Sequence, residues 1–132
     1  MQTGENRRAK SGLLLMVPIL ALLAACADKR QQPRDITGTD AAAGLAVIER
    51  LGCAACHQIP GVDWPKGTVG GSLDGLADRS MIAGRFPNQP DTLATWVRDA
   101  PSMSATTGMP AMPMTTAEAR DVAAYLYTLE HA

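Results

Sequence analysis

Four stretches of the chain carry an apolar pattern, and polar or Gly/Pro-rich segments separate them. The first is continuous: "LLLMVPILALLAA", Leu13 to Ala25, follows the polar and basic "MQTGENRRAK". The other three are periodic. "DAAAGLAVIERLG" places Leu45, Ile48 and Leu51 at three-residue spacing, with Asp40 as N-cap and Gly52 as stop, which predicts a helix. "NQPDTLATWVRDAP" puts Leu93, Trp96 and Val97 on one face, and Pro101 is expected to end that helix. "TTAEARDVAAYLYTLEHA" opens with Thr115 and Glu118 spaced as a capping box and carries Val122, Leu126 and Leu129 as its apolar stripe. A further short helix is expected around Gly75 to Arg79. The intervening "HQIPGVDWPKGTVGGSLDGL" and "APSMSATTGMPAMPM" read as loops. No strand-like alternation and no internal repeat is visible, so the fold class is all-α with long loops.

The continuous run does not belong to that domain. A basic segment with Arg7, Arg8 and Lys10 before an apolar run is the pattern of a secretory signal. The run is interrupted by Pro18 and is shorter than the roughly 20 apolar residues of a membrane-crossing helix. Its end, "LAAC" at Leu23 to Cys26, resembles the lipobox of bacterial lipoprotein signals. That resemblance implies that Cys26 is acylated and becomes the first mature residue. An ordinary signal with an incidental cysteine is the plainer alternative. Ala27 follows the cysteine rather than an aspartate, which in enteric-type sorting favours the outer membrane; inner and outer stay open here. "ADKRQQPRDITGT" then reads as a polar tether. The expected organisation is a signal over 1–25, a flexible tether over 26–39 and a single domain over 40–132. Two or more acyl chains would hold such a domain to the periplasmic side of a membrane.

Composition sharpens the picture of the domain. Of the 132 residues only 4% are aromatic, with a single Phe. Loops of about twenty residues are too long for a compact domain unless something orders them, and a domain so poor in bulky side chains usually needs a staple or a metal centre. A large apolar cofactor at the centre would meet both needs. The formal net charge is −1, and no basic patch suited to a phosphate backbone is present, so no nucleic-acid partner is expected.

The candidate chemistry lies in "RLGCAACHQIP": Cys53 and Cys56 three residues apart, with His57 directly after. Structural zinc would need four protein ligands, and beyond these three only Cys26 and His131 remain. A redox dithiol of the thioredoxin kind wants a βαβ setting, and no strands are expected. A disulfide at this spacing in a helix has poor geometry. C-x-x-C-H is the spacing for covalent haem attachment: each thiol adds to one vinyl group, and His57 is delivered to the iron. Haem iron in an electron carrier generally takes a second strong-field ligand, and a thioether there raises the potential. "TGMPAMPM" offers Met109, Met112 and Met114 in a proline-rich loop where there is little core to fill.

With these motifs the region from Asp40 to about Glu130 resembles the monohaem class I cytochrome c family. The resemblance implies an all-α fold of three to five helices wrapped around one covalently bound haem c. It implies thioethers at Cys53 and Cys56 and proximal iron ligation by His57. Gly108-Met109-Pro110 matches the loop that supplies the distal ligand, making Met109 the expected one and Met112 the alternative. "VGGSLDGLADR" is similar to the family's V-G-P-x-L-x-G-x-x-x-R. There the proline carbonyl accepts the proximal histidine's Nδ1–H, and the arginine lies near a propionate. Gly71 stands in the proline's place, and Arg79 matches the arginine. Trp96 falls where an aromatic often packs on the haem, and Gly44 and Tyr125 match the crossing of first and last helices. "IAGRFPNQPDTLATWVRDAP" looks most like haem domains associated with terminal oxidases.

The function implied is single-electron transfer between redox proteins on the periplasmic side, with no catalysis and no small-molecule substrate. Two alternatives are a docking or assembly subunit of a larger oxidase or dehydrogenase, and a haem enzyme or gas sensor with a labile sixth position.

Overall fold

A computed structural model describes residues 34–131. The signal, Cys26 and the first part of the tether lie outside the described residues. Among the described residues three helices form the frame: α1 (Ala41–Arg50), α2 (Pro90–Met103) and α3 (Thr116–Leu126). Asp40 caps α1 as its position suggests, Oδ1 accepting from the amides of Ala42 and Ala43 at 2.8 and 3.2 Å. α3 starts in a complete capping box: the Thr115 amide donates to Glu118 Oε2 at 2.7 Å, and the Glu118 amide to Thr115 Oγ1 at 3.2 Å.

α1 and α3 cross where α1 has no side chain. A Cβ at Gly44 would run into the backbone of Asp121 and Val122. Tyr125, matched to the same crossing from the sequence, lies one turn further along α3 and donates its hydroxyl to the Pro60 carbonyl at 2.6 Å. Two polar contacts fix the crossing, the Asp40 amide on Asp121 Oδ1 at 2.9 Å and the Arg50–Glu118 ion pair. Ile48 and Leu93 are almost fully buried, and Val122, Ala123 and Leu126 complete the interior between the helices.

Three features depart from the sequence reading. Residues 34–39, assigned to the tether, are packed: Arg34 donates to the carbonyls of Ala77 at 2.9 Å and Arg79 at 3.3 Å, and Ile36 is buried. Pro101 does not end α2. The helix breaks at Asp99 (φ −148°, ψ 66°), and Asp99 then caps one further turn, its Oδ1 and carbonyl accepting from Ser102. Pro101 thus sits in a first turn, where its missing N–H costs nothing. Lastly, the described residues include four two-residue strands. β1 (His57–Gln58) pairs parallel with β2 (Gly71–Ser72), and β3 (Met81–Ile82) pairs antiparallel with β4 (Phe86–Pro87). The expected short helix is a 3-10 turn at Leu76–Asp78.

Candidate cofactor site

The C-x-x-C-H stretch leaves α1 through Gly52, whose φ of +69° turns the chain into a 3-10 turn at Cys53–Ala55. In 3-10 geometry residues i and i+3 eclipse, so the turn itself puts the Cys53 and Cys56 side chains on one side. Both line a cavity of about 720 Å³. No disulfide joins them. Burial pushes the Cys53 thiol up from its ordinary value, so its thiolate is disfavoured. That is the reverse of what a dithiol poised for exchange requires.

His57 then enters β1, opposite Gly71 in β2. Its Nδ1 lies 3.0 Å from the Gly71 carbonyl oxygen, which makes Nδ1–H the donor and leaves the Nε2 lone pair free. Gly71 has φ +77°, a backbone state closed to proline. The departure from the family pattern at this position therefore keeps the carbonyl contact by a different backbone. Gly70, not singled out from the sequence, is equally close. A Cβ there would collide with the imidazole, so the ring lies flat against a residue without a side chain.

The rest of the wall comes from separate elements. Met109 and Met112 both line the cavity and are half-buried, whereas Met114 packs against the core and does not line it. Trp96 lines it and also meets Phe86, ring centroids 5.5 Å apart, so its two expected roles coexist. Arg79 lines it while donating to the carbonyls of Ser72 at 2.9 Å and Asp74 at 2.8 Å. Gly71 is not in the wall; it acts through His57. His131 lies away from the cavity, its ring against Gly75 and its amide on Asp78.

Sequence reasoning missed one wall altogether. The β3–β4 hairpin contributes Met81, Ile82, Ala83 and Gly84. Its turn has φ +50° at Ala83 and +68° at Gly84, closed by Arg85 N–H to the Ile82 carbonyl at 3.1 Å. Two central residues with positive φ make a hairpin turn of the primed kind, normally announced by Asn-Gly or Asp-Gly. Ala-Gly gives no such signal.

Residues 41–130 match the cytochrome c family. The chain belongs to that family. Membership brings haem c with its iron, and haem-based electron transfer. The chain is also 33% identical over 96 residues to a cytochrome c oxidase subunit 2 of Alkalihalophilus pseudofirmus, a match covering 71% of this chain and 27% of that protein. The chain therefore spans about a quarter of the length of that relative. The cavity fits the group the family implies. Its volume falls within the roughly 300–1,000 Å³ of cofactor sites. It presents two thiols on one side of a turn, an imidazole with its outer nitrogen already bonded, and two thioethers. Among the described residues no cluster of three or more His, Cys, Asp or Glu side chains could hold a metal ion in the zinc manner.

Proposed function

We propose that the protein is a membrane-tethered, single-haem electron carrier. Cys53 and Cys56 would hold the haem through thioethers, His57 Nε2 would ligate the iron, and Met109 would supply the second axial ligand. The haem supplies a reversible one-electron couple; everything else is done by the chain. The Gly71 carbonyl holds the His57 proton on Nδ1 and so raises the ligand's basicity. The apolar wall of Ile48, Leu93, Trp96 and Leu126 excludes water and favours the less charged state of the centre. Arg79 keeps spare guanidinium donors for an acidic group at the cavity edge. Cys26 would carry the lipid, and the chain from there to Pro33 would be the tether. The partner that best suits the chain is a terminal oxidase, a reading supported by its similarity to part of an oxidase subunit.

The observation that carries this reading is the convergence of Cys53, Cys56, His57 and the Met109 loop on one cavity. Redox-resolved spectroscopy of the purified protein tests it. Haem should stay with the denatured chain, the reduced protein should not bind CO at neutral pH, and the oxidised protein should show the weak far-red thioether-to-Fe(III) band. A chain free of covalent haem ends the proposal. Ready CO binding would favour a gas sensor or haem enzyme instead.

A further inference from the structure

Two methionines line the cavity, and the backbone holds them differently. Met109 lies in the segment 105–109, whose backbone ties are local: Thr107 N–H to the Ser104 carbonyl at 3.1 Å, and Met109 N–H to Thr107 Oγ1 at 3.1 Å. Ser104 before it is held from outside, its amide on the Ala100 carbonyl at 2.9 Å and its hydroxyl accepting from Arg85 at 3.1 Å. Met112 is fastened to the helix frame. Its amide donates to the Arg98 carbonyl at 2.8 Å, and the neighbouring Ala111 pairs with Asp99 in an isolated antiparallel bridge. The break in α2 at Asp99 takes those groups out of the helical pattern and offers them to the loop. Hence the 105–109 segment can open between two fastened ends, Ser104 and Ala111, without dislodging Met112. The two positions are three residues apart, a span of at most about 10 Å, and a flexible thioether side chain reaches a further few ångströms.

We propose that Met112 is a reserve axial ligand, built to take the iron when Met109 leaves it. This rests on the reading of Met109 as the resident ligand. The exchange breaks one Fe–S coordinate bond and forms another; no electron or proton moves. Its consequence is that the sixth position stays closed while the Met109 loop opens, so the protein does not acquire the small-ligand chemistry of an open haem. Met114, which packs on the core outside the cavity, cannot serve in this way.

The test uses the full holoprotein and the far-red thioether band of its oxidised form, with CO binding to the reduced form as second readout. Met109→Ala should retain most of the band and bind CO slowly or not at all. Met112→Ala should keep the band, because Met109 remains to hold the iron. Met109→Ala/Met112→Ala should lose the band completely and bind CO at once. Loss of the band in Met109→Ala alone would overturn the reserve role while leaving Met109 as resident ligand. Loss in Met112→Ala alone would overturn both assignments, and a parent protein without the band would remove thioether ligation altogether. Retention of the His57-bound spectrum in each variant separates these outcomes from misfolding.

Discussion

The Gly70–Gly71 pair shows how much a residue can do without a side chain. Gly70 lets the imidazole of His57 lie against the backbone, and Gly71 offers the carbonyl that fixes its tautomer. Putting the family's proline at position 71 should therefore harm this protein. Gly71→Pro demands φ near −65° where +77° is present, and it removes the amide that donates to the Thr68 carbonyl. We expect loss of about 2 kcal/mol or more of stability, with a raised reduction potential, because a His57 without that hydrogen bond is a less basic ligand and favours the oxidised iron less. Equilibrium unfolding and potentiometry on one preparation check both. Unchanged values would mean that the loop can adopt the proline-bearing conformation.

Asn88 is the other decisive residue, and it is only 1% exposed. Its Nδ2 donates to the carbonyls of Leu76 and Arg79, both at 2.9 Å, and its Oδ1 accepts from the Tyr127 hydroxyl at 3.0 Å. It thereby fastens the turn that carries Arg79 to the end of α3. Asn88→Ala leaves the Tyr127 hydroxyl without its acceptor and takes one donor from each of the Leu76 and Arg79 carbonyls, which keep the Arg79 amide and Arg34 respectively. It should cost about 1–3 kcal/mol, read as a lower denaturation midpoint. The same cluster sets an alkaline limit. Burial pushes the Tyr127 hydroxyl up to about 12 from 10.0, with Arg34 beside it acting in the opposite sense. Because the folded chain favours the neutral phenol, this contribution is complete below pH 10.0 and is lost as pH rises through about 12. Stability measured across that window should fall in the parent protein and fall less in Tyr127→Phe.

At the scale of elements, the helices were legible because their faces repeat and their caps are written in side chains. Asp40, Thr115 and Glu118 act where their spacing puts them. The strands were not legible, since two residues cannot display an alternation, and the Ala-Gly hairpin turn lacks its usual residues. Pro101 misled because a proline stops a helix from its interior yet is tolerated in a first turn, and only the break at Asp99 decides which applies. The C-x-x-C-H and Met-Pro signals were readable; Gly70 was readable only as half of a Gly-Gly pair. Two substitutions separate packing from capping. Gly44→Ala gains up to about 1 kcal/mol of helix propensity but drives a methyl into the α3 backbone, a clash worth about 1–3 kcal/mol or more. It should be net destabilising by chemical denaturation. Thr115→Ala should cost about 1 kcal/mol through the lost cap alone, leaving the cavity and the haem spectrum unchanged.

For the molecule as a whole, the cavity decides what the core is made of. It measures roughly 720 Å³, and its wall is drawn from the same side chains that form the interior between the helices. Small residues let the helices approach, with Gly44 and Ala123 in the α1–α3 layer and Ala94, Ala100 and Ala119 around α2, while the bulky Ile48, Leu93, Val122 and Leu126 face the cavity. The haem is thus expected to be part of the core, and folding and cofactor attachment to be one event. A Cys53→Ala/Cys56→Ala variant, which cannot form thioethers, should retain some helical signal in the far ultraviolet. It should lose the near-ultraviolet signature of Trp96 and Tyr127 and unfold without a cooperative transition. A sharp transition at the holoprotein's midpoint in haem-free material would show that the helices close on themselves and that the cavity is a binding pocket rather than the missing core.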